Sequence, residues 1–180
     1  MPKLTFPYVD YESQFLIAMT PEHHSRHLGQ AYRYSQILPV INNGTSYYFE
    51  IRTPSDIHEV AMKVVDIVSD RVLQVEFYEA PTITTVGTIA VNLIQRNRNS
   101  TNVAHTQIFN NPSGISGGTL FRTLLYGTGT NDSPISGGGS DDTGWSLKPS
   151  TKYIIKITNI GGSATQYVGI HGLLFEVDRD

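Results

Sequence analysis

The run Tyr153-Ile154-Ile155-Lys156-Ile157-Thr158-Asn159-Ile160-Gly161-Gly162, and the second apolar run from Tyr167 to Val177, decide the fold. In the first run Tyr153, Ile155 and Ile157 alternate with Ile154 and Lys156. That is the period of a strand, whose successive side chains point to opposite faces. In the second run the odd positions are Tyr167, Gly169, His171, Leu173 and Phe175. Asn159-Ile160-Gly161-Gly162 between them is turn chemistry, so the two runs read as a hairpin.

The same period recurs upstream. Tyr47, Phe49 and Ile51 alternate with Tyr48 and Glu50, and Val60, Met62 and Val64 with Ala61 and Lys63. Leu73, Val75 and Phe77 follow, then Ile89, Val91 and Leu93, then a strand from Leu120 to Tyr126. Asn42-Asn43-Gly44 and Thr53-Pro54-Ser55-Asp56 punctuate these runs as turns. Many short strands with few helical patterns predict an all-β fold, a β-sandwich or jelly roll. Helix content after residue 38 is expected to be near zero.

Residues 1–36 differ from 37–180 in texture. They carry aromatic residues, three of the six His and no clean alternation. They predict an extended N-terminal arm, with a short helix between Pro21 and Tyr34 in which Pro21 takes the first turn. Residues 37–180 predict the sandwich itself. Tyr126 to Thr143 is rich in Gly, Ser, Asn and Asp and reads as an exposed loop between two strands.

With 180 residues, the chain is long enough to bury about 70% of its unfolded surface, so no staple is required. Cys is absent, which excludes disulfides, thiolate metal sites and a Cys nucleophile. The net charge is −3 and no window holds a basic cluster. Nucleic acid is therefore not an expected partner, since phosphate neutralisation supplies most of that affinity. No window approaches the ~20 apolar residues of a membrane span. The start, Met1 to Tyr8, lacks the apolar core of a leader peptide.

The motifs that suggest chemistry fail on context. Gly114-Ile115-Ser116-Gly117-Gly118 fits the Gly-x-Ser-x-Gly spelling of a nucleophile elbow, but no strand precedes it and no helix follows in the sequence pattern. His23 and His27 stand four apart and share a helix face, as a metal pair does. The zinc-protease pattern needs Glu after the first His, and His24 stands there, so no metal is assigned. Asp132, Asp141 and Asp142 lack the spacing of a calcium loop. Trp145 reads as core packing; its other reading is a stacking platform for a sugar. No catalytic residue and no cofactor are expected.

The landmarks in their order resemble the head decoration (cement) proteins of tailed bacteriophages. They run from His27-Leu28-Gly29-Gln30-Ala31-Tyr32 through Thr53-Pro54, Phe77-Tyr78-Glu79-Ala80-Pro81-Thr82, Gly87-Thr88 and Asn97-Arg98-Asn99-Ser100. Gly118-Thr119-Leu120, Trp145 to Tyr153, Ile157-Thr158-Asn159 and the closing Phe175-Glu176 complete them. The family often carries an aromatic pair before that Glu, where Leu174-Phe175 stands here, and residues 1–26 have no counterpart in the resemblance. The resemblance implies a β-sandwich that sits on the virion, on the capsid surface, after assembly in the host cytoplasm. It implies a homo-oligomer, commonly a trimer, bound to the major capsid protein, and no catalytic residues. Phe6, Tyr8, Tyr11, Phe15, Leu16 and Ile17 are the expected anchors of the arm on the capsid or a sister subunit, and Arg98 an expected polar contact. A carbohydrate-binding module and a tail or baseplate adsorption module are the alternatives.

Overall fold

Strands whose apolar faces recur every second residue need a second layer to cover them. The register of their ladders shows how this chain supplies it. A computed structural model describes residues 8–9, 16–17, 21–69, 72–89, 91–126, 135–136, 144–162, 165 and 167–178. Its elements are β1 (Tyr8–Val9), β2 (Leu16–Ile17), α1 (Pro21–His27), β3 (Ala31–Ile37), β4 (Ser46–Arg52), β5 (Ile57–Ser69), β6 (Leu73–Glu79), β7 (Thr82–Thr85) and β8 (Thr88–Ile89). They continue with β9 (Ile94–Gln95), β10 (Gln107–Asn110), β11 (Ser113–Ser116), β12 (Thr119–Tyr126), β13 (Ile135–Ser136), β14 (Trp145–Leu147), β15 (Lys152–Asn159) and β16 (Val168–Asp178).

The body is one long antiparallel ribbon. β3 pairs with β16, from Ala31 opposite Phe175 to Ile37 opposite Gly169. β4 pairs with β15, from Ser46 opposite Thr158 to Arg52 opposite Lys152. β5 then pairs with β14, β6 with β12, β7 with β11 and β8 with β10. The described strands of residues 31–89 therefore run against those of 107–178. The ribbon is wound on itself, and the β5–β16 and β6–β15 ladders join its turns. One sheet has the order β12-β6-β15-β4-β10-β8 and the other β13-β5-β16-β3-β9, with β14 also on β5. The fold is an all-β sandwich with the strand order of a jelly roll.

The core lies between the two sheets. Phe49, Ile51, Val75, Phe77, Ile155 and Ile157 enter it from one side, and Tyr34, Val60, Met62, Ile67, Ile170 and Leu174 from the other. In β16 the even positions Val168, Ile170 and Leu174 join the core between the sheets, and Phe175 is buried as well. Gly172 faces inward with them, and its register partner is Tyr34. A Cβ there would overlap the Tyr34 ring, so the bare backbone of Gly172 makes room for the aromatic opposite. A register shift between Leu120 and Arg122 bends β12. Phe121 lies against Phe77 and edge-on to Trp145, with ring centroids 6.1 and 5.5 Å apart.

Several expectations need correction. β15 and β16 do not form a hairpin; they belong to different sheets, and Ile160 to Tyr167 carries the chain from one to the other. Turn chemistry says that a chain changes direction, and both pairing edges of each strand are already occupied by other strands. Ile89 to Leu93 is not one strand. Thr88–Ile89 pairs with β10 in one sheet and Ile94–Gln95 with β3 in the other, so the chain crosses between sheets there while Val91 still buries its side chain. The helix stops at His27 instead of reaching Tyr34, because Ala31–Ile37 is a strand inside the second sheet, although it lies within the stretch expected as an arm. Of the arm itself, Tyr8–Val9 pairs with Leu16–Ile17 as a separate two-stranded sheet.

Candidate functional site

The ribbon crosses from one sheet to the other at two ends, and each crossing is closed by one polar side chain with little exposure. At the first end the β3–β4 connection meets the β15–β16 connection. Asn159 is fully buried there, and its Nδ2 donates to the Ile41 carbonyl at 2.8 Å. Its backbone N–H donates to Thr45, its carbonyl accepts from Gly44, and Leu38 N–H donates to Val168. Gly44 adopts a φ of 72°, which the Asn-Gly turn expected from the sequence supplies without strain.

At the second end the β4–β5 connection meets the one before β15. Thr53 is 6% exposed. Its Oγ1 donates within 2.6 Å of the Lys148 carbonyl and accepts from Thr151 N–H at 2.9 Å. Ser150 N–H donates to the Pro54 carbonyl. Lys148 Nζ reaches Glu79 Oε1 at 2.6 Å, and that ammonium holds the Glu79 carboxyl below its ordinary range.

The surfaces of the two ends differ. The first exposes Ile37 (79%), Tyr167 (66%), Val40 (44%) and Ile160 (42%), all on or beside the hydrogen-bonded connections. A soluble monomer seldom gathers large apolar side chains at one place without a partner for them. None of these four was singled out by the sequence. Ile37 and Tyr167 sit at strand ends, where alternation no longer says which face is covered.

Phe6, Tyr11 and Phe15 lie outside the described residues, and for Tyr8, Leu16 and Ile17 only the backbone pairing is described. Arg98 is exposed, but it follows β9, which pairs with the start of β3, whereas Ile37 ends that strand. The structure does not bring Arg98 to the apolar end.

A cleft of about 340 Å³ lies between the start of β3 and the loop after β9, lined by Gly29, Tyr32, Asn102, His105 and Glu176 among others. Several of its polar groups are engaged within the fold. The Glu176 carboxylate, 3% exposed, accepts His105 N–H at 2.9 Å and Thr106 N–H at 2.6 Å. The Gly29 carbonyl accepts from Gln95 Nε2 at 2.6 Å and Asn102 Nδ2 at 3.3 Å. The Glu that closes the last strand is thus a clamp on the 105–106 backbone.

The motifs resolve as follows. Ser116 ends β11, and Gly117 and Gly118, with φ of 64° and 86°, turn the chain into β12. A strand does precede Ser116, against the expectation, but a second strand stands where a nucleophile elbow requires a helix. Trp145 packs against the core, 4.7 Å from Phe77, with the Arg122 guanidinium 5.0 Å over its ring. Its faces are engaged within the protein instead of forming an open platform for a sugar. Asp132, Asp141 and Asp142 lie outside the described residues. Among the described residues no three His, Cys, Asp or Glu converge as a metal site. His23 and His27 do meet, Nε2 to Nε2 at 2.9 Å. No helix among the described residues is long and apolar enough to cross a membrane.

The chain is, by its topology, a two-sheet jelly-roll sandwich. Neither a family description nor a curated protein matches its sequence. Among solved structures it is similar to a chain titled Desmodium yellow mottle tymovirus, at 10% identity and a TM-score of 0.29, over 83% of this chain and 87% of that one.

Proposed function

We propose that this chain is a structural virion protein. In this reading it decorates the outside of a tailed-phage capsid, as a trimer or other homo-oligomer, and stabilises the shell by binding several major capsid subunits at once. It makes and breaks no covalent bond. The observation that supports the reading is the apolar end: Ile37, Val40, Ile160 and Tyr167 are exposed on or beside hydrogen-bonded connections. Anchors whose backbone is already tied lose less entropy on docking, so more of their burial goes into affinity. A standard interface buries about 1,600 Å² in total, and attachment at several such patches lengthens residence through effective concentration. The sequence landmarks shared with cement proteins point the same way.

Capsids assembled without the protein provide the test. Added protein is expected to co-sediment with them and to raise the temperature at which they release their contents. The double variant Ile37→Asp/Tyr167→Asp is expected to lose that binding while its circular dichroism stays that of the wild type. Deleting residues 1–25 separates the contribution of the arm from that of the corner. Images that place the protein on the tail, or wild-type protein that ignores capsids, defeat the decoration reading. Unchanged binding by the double variant removes the corner from it.

A further inference from the structure

His23 and His27 stand one helical turn apart on α1, and their rings converge through the Nε2 atoms, with centroids 4.6 Å apart and planes tilted by 43°. The two nitrogens stand at hydrogen-bond separation, 2.9 Å, so modest rotations of both rings turn their Nε2 lone pairs onto one ion. For imidazole ligands the affinity of divalent first-row ions rises through nickel(II) to copper(II).

We propose that His23 and His27 chelate a divalent transition metal through their Nε2 atoms, copper(II) first and nickel(II) next, with water in the remaining positions. The proposal is independent of the virion reading above. In the metal-free pair one Nε2–H donates to the other ring's lone pair. On metal entry that proton moves to Nδ1 of its own ring by exchange with solvent. Both rings stay neutral, each with its Nε2 lone pair on the metal, and no net proton is taken up or lost. Glu22 adds no third ligand from the same helix: its carboxylate lies 3.8 Å from Lys63 Nζ. His24 sits about 100° round the helix from His23. Among the described residues no third His, Cys, Asp or Glu converges with the pair, and two ligands bind more weakly than a closed structural centre.

The test uses the full chain purified without a polyhistidine tag and titrated calorimetrically with copper(II), nickel(II) and magnesium salts. One copper or nickel ion per chain is expected, copper binding more tightly, with no heat from magnesium. His23→Ala or His27→Ala removes the chelate and is expected to weaken binding about a hundredfold. His24→Ala is expected to leave it unchanged. Circular dichroism of each variant separates loss of a ligand from loss of the helix. Retained affinity in both single variants, equal loss in His24→Ala, or wild-type binding no tighter than that of free imidazole overturns the assignment.

Discussion

The two ends of the jelly roll use one device, and their connections expose different side chains. At each, two connections that carry the ribbon from sheet to sheet lie side by side, and one polar side chain with little exposure ties their backbones. Asn159 does this at the first end and Thr53 at the second. The connections of the second end show water Lys148, Pro149, Ser150, Ser55 and Asp56, with Leu28, Val103 and Val177 exposed on neighbouring segments. The first shows it Ile37, Val40, Ile160 and Tyr167. Closing the fold therefore does not dictate what the closure exposes. A corner pinned by backbone hydrogen bonds is free to carry a solvated surface or a sticky one, and only the second kind needs a partner to explain it.

The comparison breaks first at Asn159. Replacing it with Leu removes the donor to Ile41 and the Oδ1 acceptor for Gly161 N–H, and leaves those groups without their amide partner at a buried site. An unsatisfied buried group costs about 1–3 kcal/mol, so the pair is expected to cost about 3 kcal/mol. In a domain of this size that lowers the melting temperature by roughly 6–12 °C. Thr53→Val, nearly isosteric, takes away the hydroxyl bonds to Lys148 and Thr151 and is expected to cost about 1–2 kcal/mol. Urea denaturation of both variants checks the ranking. A Thr53→Val cost equal to that of Asn159→Leu means that exposure, not the number of bonds, fails to separate the two corners.

The surfaces are expected to matter less to stability. Ile37→Ser and Tyr167→Ser change residues that water already reaches, so each is expected to fall within about 0.5 kcal/mol of the wild type. A larger loss in isolated protein shows that the apolar end is covered from within the chain, which removes the reason to seek a partner there.

The sequence carried the strands and not their assignment to sheets. Alternation at Tyr47 to Ile51, Leu73 to Phe77 and Tyr153 to Ile157 is a local property, and each of these became a central strand. Which sheet a strand joins is decided by contacts over a hundred residues away, such as Ser46 with Thr158. Asn159-Ile160-Gly161-Gly162 was therefore legible as a turn and not as a corner. Ala31–Ile37 hid its strand because Ala31, Tyr32 and Tyr34 are buried while Arg33, Ser35 and Ile37 are exposed, a pattern that mixes apolar and polar on both faces. Ser116 and Trp145 were readable because their neighbours settled their context. The apolar end was not, since exposure of a strand-end Ile is a tertiary fact.

The smallest difference between the ends is electrostatic. Among the described residues the ion pairs at the crossings lie at the polar corner: Lys148 with Glu79, whose carboxylate also has Tyr153 OH at 3.3 Å, and Asp56 with the His105 imidazole when that is protonated. The hydrogen bond from Lys148 comes first among the causes that hold Glu79 below its ordinary value of 4.5. A carboxyl whose folded pKa is depressed binds protons less readily in the folded chain than in the unfolded one. Its contribution is present in full above the unfolded value and fades as pH falls through the folded one. Acidification from pH 6 towards pH 3 is thus expected to weaken this corner by no more than about 1 kcal/mol, as befits a pair that water reaches. Glu79→Gln is expected to remove that part of the acid dependence, so that the gap between the two melting temperatures narrows as pH falls. Melting curves of the two proteins across that range decide it: parallel curves mean that the pair adds nothing, and the two ends then differ in apolar surface alone.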